Sequence, residues 1–500
     1  MGPSPEVKAL AHEALREIVA LRRQTAAEGR KLYRSWRKRI ARSSFAPSAL
    51  NFAHYLALRR QELRPLQRKL MGLGISSLGR LESRVLVCLD AVAVALAALA
   101  GEESTHCCSP SQAHFFRGEA RLAAHVAEIF GPMRPSRIGR IMVTLPSEAA
   151  DDPGLVTTYA ERGADVMRIN CAHDGVREWS KMVANIRSAE AKAGRRLPVL
   201  MDIGGPKVRA DRVLTPPDRN RLHIGDIFLL TPEVRPAIAD LPFQVSCSTA
   251  GVFDSIGIGD EVSVDDGQLQ GIVIGEGHGG YIVRIGRGKL AGVKLVPGKG
   301  LNFPSAALKL DPLTDKDRRD LNFIATHADM VGYSYVQTAD HVAMLQAELA
   351  RRRDDWQRLG LVGKIETPRA VRHLPEIIVQ AAGHQPFAVM IARGDLAVEM
   401  GFERVAEMQE EILWLAEAAH VPVIWATQVL EDLVKRGLPS RGEMTDAAMA
   451  GRAECVMLNK GPNVAGAIDV LDRLLHRMGE HQVKKTPTLR ALHSWPVAAA

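Results

Sequence analysis

The spacing of apolar positions along the chain changes sharply near residue 137. Before it, LNFAHYLALRRQELRPLQRKL (50–70) and LESRVLVCLDAVAVALAAL (81–99) repeat apolar residues at intervals of three and four, which predicts helices over the first ~130 residues. After it, short apolar and β-branched runs alternate with amphipathic stretches. The runs are GRIMVTL, DVMRIN, PVLMDI, DMVGYSYV, LVGKIE, PFAVMIAR, PVIWAT and ECVML, and between them lie PGLVTTYAERG, VAEMQEEILWLAEAAH and VAGAIDVLDRLLHRM. Eight strand signals with interposed helices predict an α/β fold of the (β/α)8 TIM barrel type, with a doubly wound open sheet as the alternative. The segment after the third run, with LHIGDIFLL, GDEVSVDDGQLQGIVIG and GGYIVRIGRGKL, reads instead as short strands joined by Gly and Asp turns. It is too long for an ordinary loop, so a small all-β cap inserted after strand three is expected. The expected boundaries are an N-terminal helical region over 1–135, a barrel over 136–211 and 306–480, a cap over 212–305 and a tail over 481–500.

Composition narrows the class. A chain of 500 residues with 46% hydrophobic and 24% charged residues is that of an ordinary globular protein, with room for roughly three domains. Six cysteines are too sparse for a disulfide framework, and Cys107 and Cys108 are adjacent rather than in CxxC spacing, so a reducing, cytoplasmic setting is expected. The opening MGPSPEVKAL lacks the apolar core of a secretory signal, and Glu6 breaks the myristoylation pattern. The run from Val85 to Ala100 is interrupted by Asp90 and falls short of the ~20 residues that span a bilayer, so a buried helix and no membrane partner are expected. Much of the net charge of +8 lies in GRKLYRSWRKRIARS (29–43), where Tyr33 and Trp36 interleave with bases. A solvated helix face is the expectation there, and nucleic acid is not expected as a partner.

The distinctive polar residues gather where a barrel places its chemistry, at the carboxyl ends of the strands. Arg168 and Asn170 end the second run, Asp202 the third, and Ser334 lies in the fourth. Lys364 and Glu366 end the fifth, Arg393 and Asp395 follow the sixth, and Thr427 and Gln428 close the seventh. Residues two apart on a strand share a face, which pairs Lys364 with Glu366 and Arg168 with Asn170. Glu366 and Asp395, from neighbouring strands, are suited to share a hard divalent cation, leaving Lys364 and Arg168 to face an anion. Two cationic side chains and a metal around one pocket fit phosphoryl transfer. After strand three, LMDIGGPKVRA (200–210) turns through Gly204-Gly205-Pro206 into Lys207 and Arg209, an anion-site composition without the Walker spacing.

At these residues the sequence resembles the pyruvate kinase family. The resemblance is carried by VMRINCAHDG, MDIGGPKVR, VDDG (264–267), GKGLNFPSAAL, GKIETPRAV, VMIARGDLAVEM and PVIWATQVLEDL with PSRGEMTDAA, in the family's order over roughly 137–475. It implies phosphoryl transfer from phosphoenolpyruvate to ADP, giving pyruvate and ATP. By the same resemblance Lys364 stabilises the transferring phosphoryl and Arg168 grips the phosphate. Glu366 and Asp395 hold Mg2+ or Mn2+, and Gly394, Asp395, Thr427 and Ser334 line the substrate pocket. Thr427 lies on the proton path to the enolate, and Asn170, His173, Arg209 and Lys299 match positions near the nucleotide.

The departures are specific. Potassium-site hydroxyls are replaced by Ala172 and Ile203 although Asn170 and Asp202 remain, TLPSEA replaces a longer turn after strand one, and NKGP (459–462) follows strand eight. Gln337 stands where the family often has arginine. Lys207 matches the lysine of potassium-independent relatives, which implies that its ammonium substitutes for the ion beside Asn170 and Asp202 and that K+ is not required. The sequence continues only ~25 residues past the last helical run, so the usual sugar-phosphate effector site is not expected, while a homo-oligomer is. Two other readings stay open: a metal-dependent lyase or aldolase acting on pyruvate-like acids, and a catalytically inactive metabolite sensor.

Overall fold

The computed structural model describes residues 3–102 and 109–487, apart from 136, 237, 248, 250 and 307; Cys107 and Cys108 lie outside the described residues. The N-terminal region forms α1 (Pro5–Trp36), α2 (Ala46–Leu58), α3 (Arg64–Gly72), α4 (Val85–Ala100), α5 (Gln112–Phe115) and α6 (Arg117–Phe130). Ser4 starts α1, its hydroxyl accepting from the Val7 N–H at 3.3 Å, and Pro5 fits the first turn, where no amide hydrogen is needed. The buried face of α1 carries Ala11, Ala14, Ile18, Leu21 and Thr25, one residue per turn, and packs on α2 and α4. Along residues 29–43 Trp36 is buried and stacks on Phe52, while Arg30, Lys31, Arg34, Arg37 and Lys38 face solvent.

The expected buried helix of residues 85–100 is buried on one face. With the turn before it, the segment Glu82–Ala100 has 19 residues and is long and apolar enough to cross a membrane by length and composition; 44% of it is buried in the bundle. The four described cysteines, Cys88, Cys171, Cys247 and Cys455, are all buried and unpaired.

The bundle lies against two barrel helices, Leu374–Ala382 and Phe402–Ala418. The amides of Ala41 and Arg42 both donate to the Gly383 carbonyl, at 2.9 and 2.7 Å. Asn51 Nδ2 donates to the carbonyls of Glu82 and Ala418, each at 2.8 Å, and Asn51 Oδ1 accepts from the Val85 N–H.

The barrel strands are β1 (Arg140–Thr144), β2 (Val166–Asn170) and β3 (Val199–Asp202). After the insertion come β13 (Met330–Tyr333), β14 (Gly360–Ile365), β15 (Phe387–Ala392), β16 (Val423–Ala426) and β17 (Cys455–Leu458). All eight pair in parallel with their sequence neighbours, and β1 closes on β17 through Arg140 opposite Cys455. The interior is filled by Met142, Val166, Leu200, Met330, Val362, Met390, Ile424 and Met457, against which α6 sets Leu122, Val126, Ile129 and Phe130. Ile129 meets Gly360, the first residue of β14, so α6 plugs the floor of the barrel, opposite the strand ends that carry the chemistry.

The insertion contains β4 (Val213–Leu214), β5 (Arg221–Leu222), β6 (Ile227–Thr231), β7 (Gln244–Ser246), β8 (Glu261–Val264), β9 (Leu269–Gly277), β10 (Gly280–Gly288), β11 (Val293–Lys294) and β12 (Leu301–Asn302). Seven of these form one sheet in the order β12-β8-β9-β10-β6-β7-β4. His278 and Gly279, both at positive φ, make the two-residue turn between β9 and β10. The cap has its own core of Phe228, Leu230, Phe243, Val245, Val262 and Val283. In the sequence's tail, residues 482–487 form a two-stranded ribbon that ion-pairs Lys484 with Glu454 and Lys485 with Glu82.

Candidate active site

The strand ends deliver their polar side chains to one mouth. Arg168, on β2, donates from Nε and Nη2 to Asp202 Oδ2 at 2.8 and 2.6 Å and from Nη1 to Thr144 Oγ1 at 2.9 Å, which fixes the guanidinium between β1 and β3. Lys364, on β14, donates to Ser334 Oγ at 2.7 Å and lies 3.0 Å from Glu366 Oε1 and 3.8 Å from Asp202 Oδ2. Ser334 in turn donates to the Ile203 carbonyl at 2.8 Å. Ser334 falls just beyond β13, and Glu366 just beyond β14, where the turn lets it fold back on Lys364.

Asp395 sits in the first turn of the helix Arg393–Met400, where the helix dipole favours a carboxylate. At the same end the Gly394 N–H donates to Thr427 Oγ1 at 2.8 Å, leaving the Thr427 hydroxyl proton free to be donated elsewhere. Arg393 buttresses this corner, with Nη2 2.6 Å from the Thr427 carbonyl and 2.9 Å from Asp446 Oδ2, and its guanidinium over the Trp425 ring.

Burial sets the electrostatics. It pushes the Glu366 carboxyl up, with Lys364 opposing and the charge of Asp395 adding to the rise. Burial also works against the Lys364 ammonium, yet Glu366 and Asp202 outweigh it and its pKa rises. For Asp395 burial is outweighed by Lys207 and Lys364, and the carboxyl is held down. The pocket thus keeps its lysine charged beside two crowded carboxylates, an arrangement a divalent cation would relieve.

The donor set fits such an ion. No group of three or more His, Cys, Asp or Glu side chains suited to a metal occurs among the described residues, so Glu366 and Asp395 are a two-carboxylate set that could hold an ion only with water or substrate completing its shell. Magnesium is commonly held in that way beside phosphates. The Asp395 Oδ1 atom meets Lys207 and Tyr335, while no hydrogen bond reaches Oδ2 among the described residues.

Lys207 is placed differently from the sequence expectation. Its Nζ lies 3.0 Å from Asp266 Oδ1 of the cap and 3.0 Å from Asp395 Oδ1 of the barrel, and no ion pair joins it to Asp202 among the described residues. The cations beside Asp202 are Arg168 and Lys364. Asn170 stays apart from Arg168's contacts, its Oδ1 accepting from the Ala172 N–H at 3.1 Å. Arg209 donates to the Gly298 carbonyl at 2.9 Å, and Lys299 pairs with Asp265 at 2.6 Å, both near where the cap joins the barrel. Burial lowers the pKa of His173, and Lys460, Arg209 and Arg168 lower it further against Asp174. Lys460, within the NKGP departure, therefore joins a cationic rim that motif reading did not assign. Thr144, Tyr335 and Asp266 were also not singled out; Asp266 carried a signal, since it lies inside the VDDG motif.

A family model described as pyruvate kinase, barrel domain, matches residues 136–468. Curated pyruvate kinases similar to this chain include those of Methylorubrum extorquens, 32% identical over 65% of this chain and 65% of that one, and Aeropyrum pernix, 32% identical over 63% and 65%. The chain thus spans just under two thirds of the length of these two relatives. A protein of the same name from Agrobacterium vitis is 30% identical over 70% of each chain. The crystal structure of a pyruvate kinase from Cryptosporidium parvum is similar with a TM-score of 0.60 and 24% identity, covering 70% of this chain and 72% of that one, a likeness of fold.

Proposed function

Because the chain belongs to the pyruvate kinase family, we propose that it transfers the phosphoryl group of phosphoenolpyruvate to ADP and protonates the enolate that remains, giving pyruvate and ATP. The observation that carries this reading is the single buried cluster of Arg168, Lys364, Glu366 and Asp395 under the cap, with Thr427 at its edge. Arg168 and Lys364 bind the phosphoryl oxygens, and their charges are fixed beforehand by Asp202 and Glu366, so little reorganisation is needed as the transition state forms. An ADP phosphate oxygen attacks phosphorus, the bond to the enol oxygen breaks, and the methylene carbon then takes a proton by way of the Thr427 hydroxyl. Glu366 and Asp395 would hold a magnesium or manganese ion, which supplies charge neutralisation to the transferring group. The first turn of the helix Arg393–Met400, with Thr427 held against the Gly394 amide, forms the substrate carboxylate side, and Ser334 holds Lys364 in place beside it. Arg209, Lys299 and the neighbouring Lys460 form the cationic rim for the nucleotide, with Asn170 and His173 beside them as polar contacts.

Activity without potassium belongs to the same proposal. Ala172 and Ile203 offer no side-chain oxygen, and the Asn170 oxygen is taken by a backbone amide. The second Asp202 oxygen has no hydrogen-bond partner, but it lies over the bare α-carbon of Gly332. Three fixed cations, Arg168, Lys364 and Lys207, carry the positive charge instead. The expected result is turnover in potassium-free buffer within about threefold of that at 0.1 M potassium; a strict requirement would overturn this part.

The decisive experiment is a coupled assay with phosphoenolpyruvate, ADP and magnesium on wild type and Lys364→Met. Wild type is expected to turn over, and the variant to lose at least roughly a thousandfold in kcat while still binding phosphoenolpyruvate, since the lysine acts mainly in the transition state. Absence of turnover by folded wild type would favour the sensor reading. An enolate lyase would have no use for Lys364 and would survive its loss.

A further inference from the structure

Tyr335 touches both carboxylates of the cluster. Its backbone N–H donates to Glu366 Oε2 at 2.5 Å, and its hydroxyl donates to Asp395 Oδ1 at 3.3 Å. It does so from a left-handed backbone, φ 56°, which is unfavourable for a residue with a side chain and is kept where the surroundings over-determine it.

The surroundings are the Gly204-Gly205-Pro206 turn. Gly205 lies at φ +70°, and a Cβ placed on it would stand 3.0 Å from Ser334 Cβ and 3.1 Å from Tyr335 Cδ2. The turn therefore gives the Ser334-Tyr335 corner its room. The phenol is the donor in its contact with the Asp395 carboxylate, which can only accept.

The oxygens then sort themselves. Glu366 Oε1 faces Lys364 and Oε2 the Tyr335 amide, while Asp395 Oδ1 is shared by the Tyr335 hydroxyl and Lys207. What is left on Asp395 is Oδ2. A carboxylate with one oxygen held and one free is turned toward single-oxygen ligation, which suits a small cation that keeps several waters.

We propose that Tyr335 is a positioning residue of the divalent-metal site, orienting Glu366 through its backbone amide and Asp395 through its hydroxyl. The inference rests on the reading that these carboxylates hold the metal. It is tested by measuring Mn2+ binding to the full chain by electron paramagnetic resonance, without substrates, for wild type, Tyr335→Phe and Asp395→Asn.

Tyr335→Phe removes one oxygen and keeps the ring. It is expected to weaken Mn2+ binding about tenfold at an unchanged melting temperature, and to raise the KM for magnesium while kcat at saturating metal stays within about twofold. Gly205→Ala, which crowds the same corner without altering a carboxylate, is expected to weaken Mn2+ binding as well and serves if Tyr335→Phe does not fold. Wild-type Mn2+ affinity in these variants, with binding lost in Asp395→Asn, overturns the role of Tyr335. Wild-type affinity in Asp395→Asn overturns the metal reading beneath it.

Discussion

At Gly332 the absence of a side chain leaves Asp202 its place. A Cβ there would fall 2.0 Å from Asp202 Oδ1 and 2.7 Å from its carboxyl carbon, and Asp202 is the anchor of Arg168. Gly332→Ala is therefore expected to cost about 1–3 kcal/mol through overpacking. It should also lower turnover at least roughly tenfold by displacing the guanidinium. Thermal melts and the coupled assay on one preparation check both; an active, equally stable variant would show that Asp202 can move without consequence. That Lys364, Glu366 and Asp395 meet at one mouth of the barrel was legible in the sequence because each lies at or just past the end of a strand-like run, and their shared location is the signal. Tyr335 and Gly332 were not, since their parts depend on a left-handed φ and on a cross-strand approach that no spacing reveals. Lys207 shows the limit from the other side, for the sequence marks it as charged but not which carboxylates it meets.

Between elements, the seam joining the N-terminal bundle to the helix Phe402–Ala418 turns on His420. Fully buried, its Nδ1 lies 2.8 Å from Ser48 Oγ and its Nε2 2.9 Å from the Ser83 carbonyl, while its own carbonyl meets His125 Nδ1 at 2.7 Å. Burial lowers its pKa to about 4, opposed by the Ser83 carbonyl and assisted by Arg121 and His125. In the unfolded chain the imidazole takes a proton near 6.5, so below that pH the unfolded state binds more protons and the folded state loses ground. The loss grows as pH falls from about 6.5 to about 4 and reaches roughly 3 kcal/mol.

Glu417, on the same helix, acts oppositely. Its carboxyl is pushed up to about 7, so its charged form is the penalised one and it costs stability as pH rises from about 4.5 through 7. The histidine is isolated by difference: the melting temperature of His420→Gln should fall less between pH 7 and pH 4.5 than that of wild type. Parallel slopes would remove His420 from the account. The helices of this seam were legible from their three-and-four spacing. Their partner was not, because an apolar stripe says that something covers it and not what.

Taken whole, the barrel is covered on three sides: the bundle lies along one flank, the cap stands over the mouth, and α6 fills the floor. The barrel and the all-β character of the insertion could be read from the sequence because a change of hydrophobic period is a strong signal over many residues. The docking of the bundle and the short ribbon at 482–487 could not, as they depend on individual part-buried polar side chains such as Asn51 and on ion pairs such as Lys485 with Glu82.

The plug in the floor also sets an order of events during synthesis. Helix α6 ends at Phe130, directly ahead of β1, while the strand that closes the barrel on β1 ends at Leu458. At ribosomal speeds of about 5–20 residues per second, the chain between them takes on the order of tens of seconds to emerge. Throughout that time Leu122, Val126, Ile129 and Phe130 have no finished barrel to enter, and the nascent chain carries a greasy helix whose shelter is complete only once the eighth barrel strand has been made.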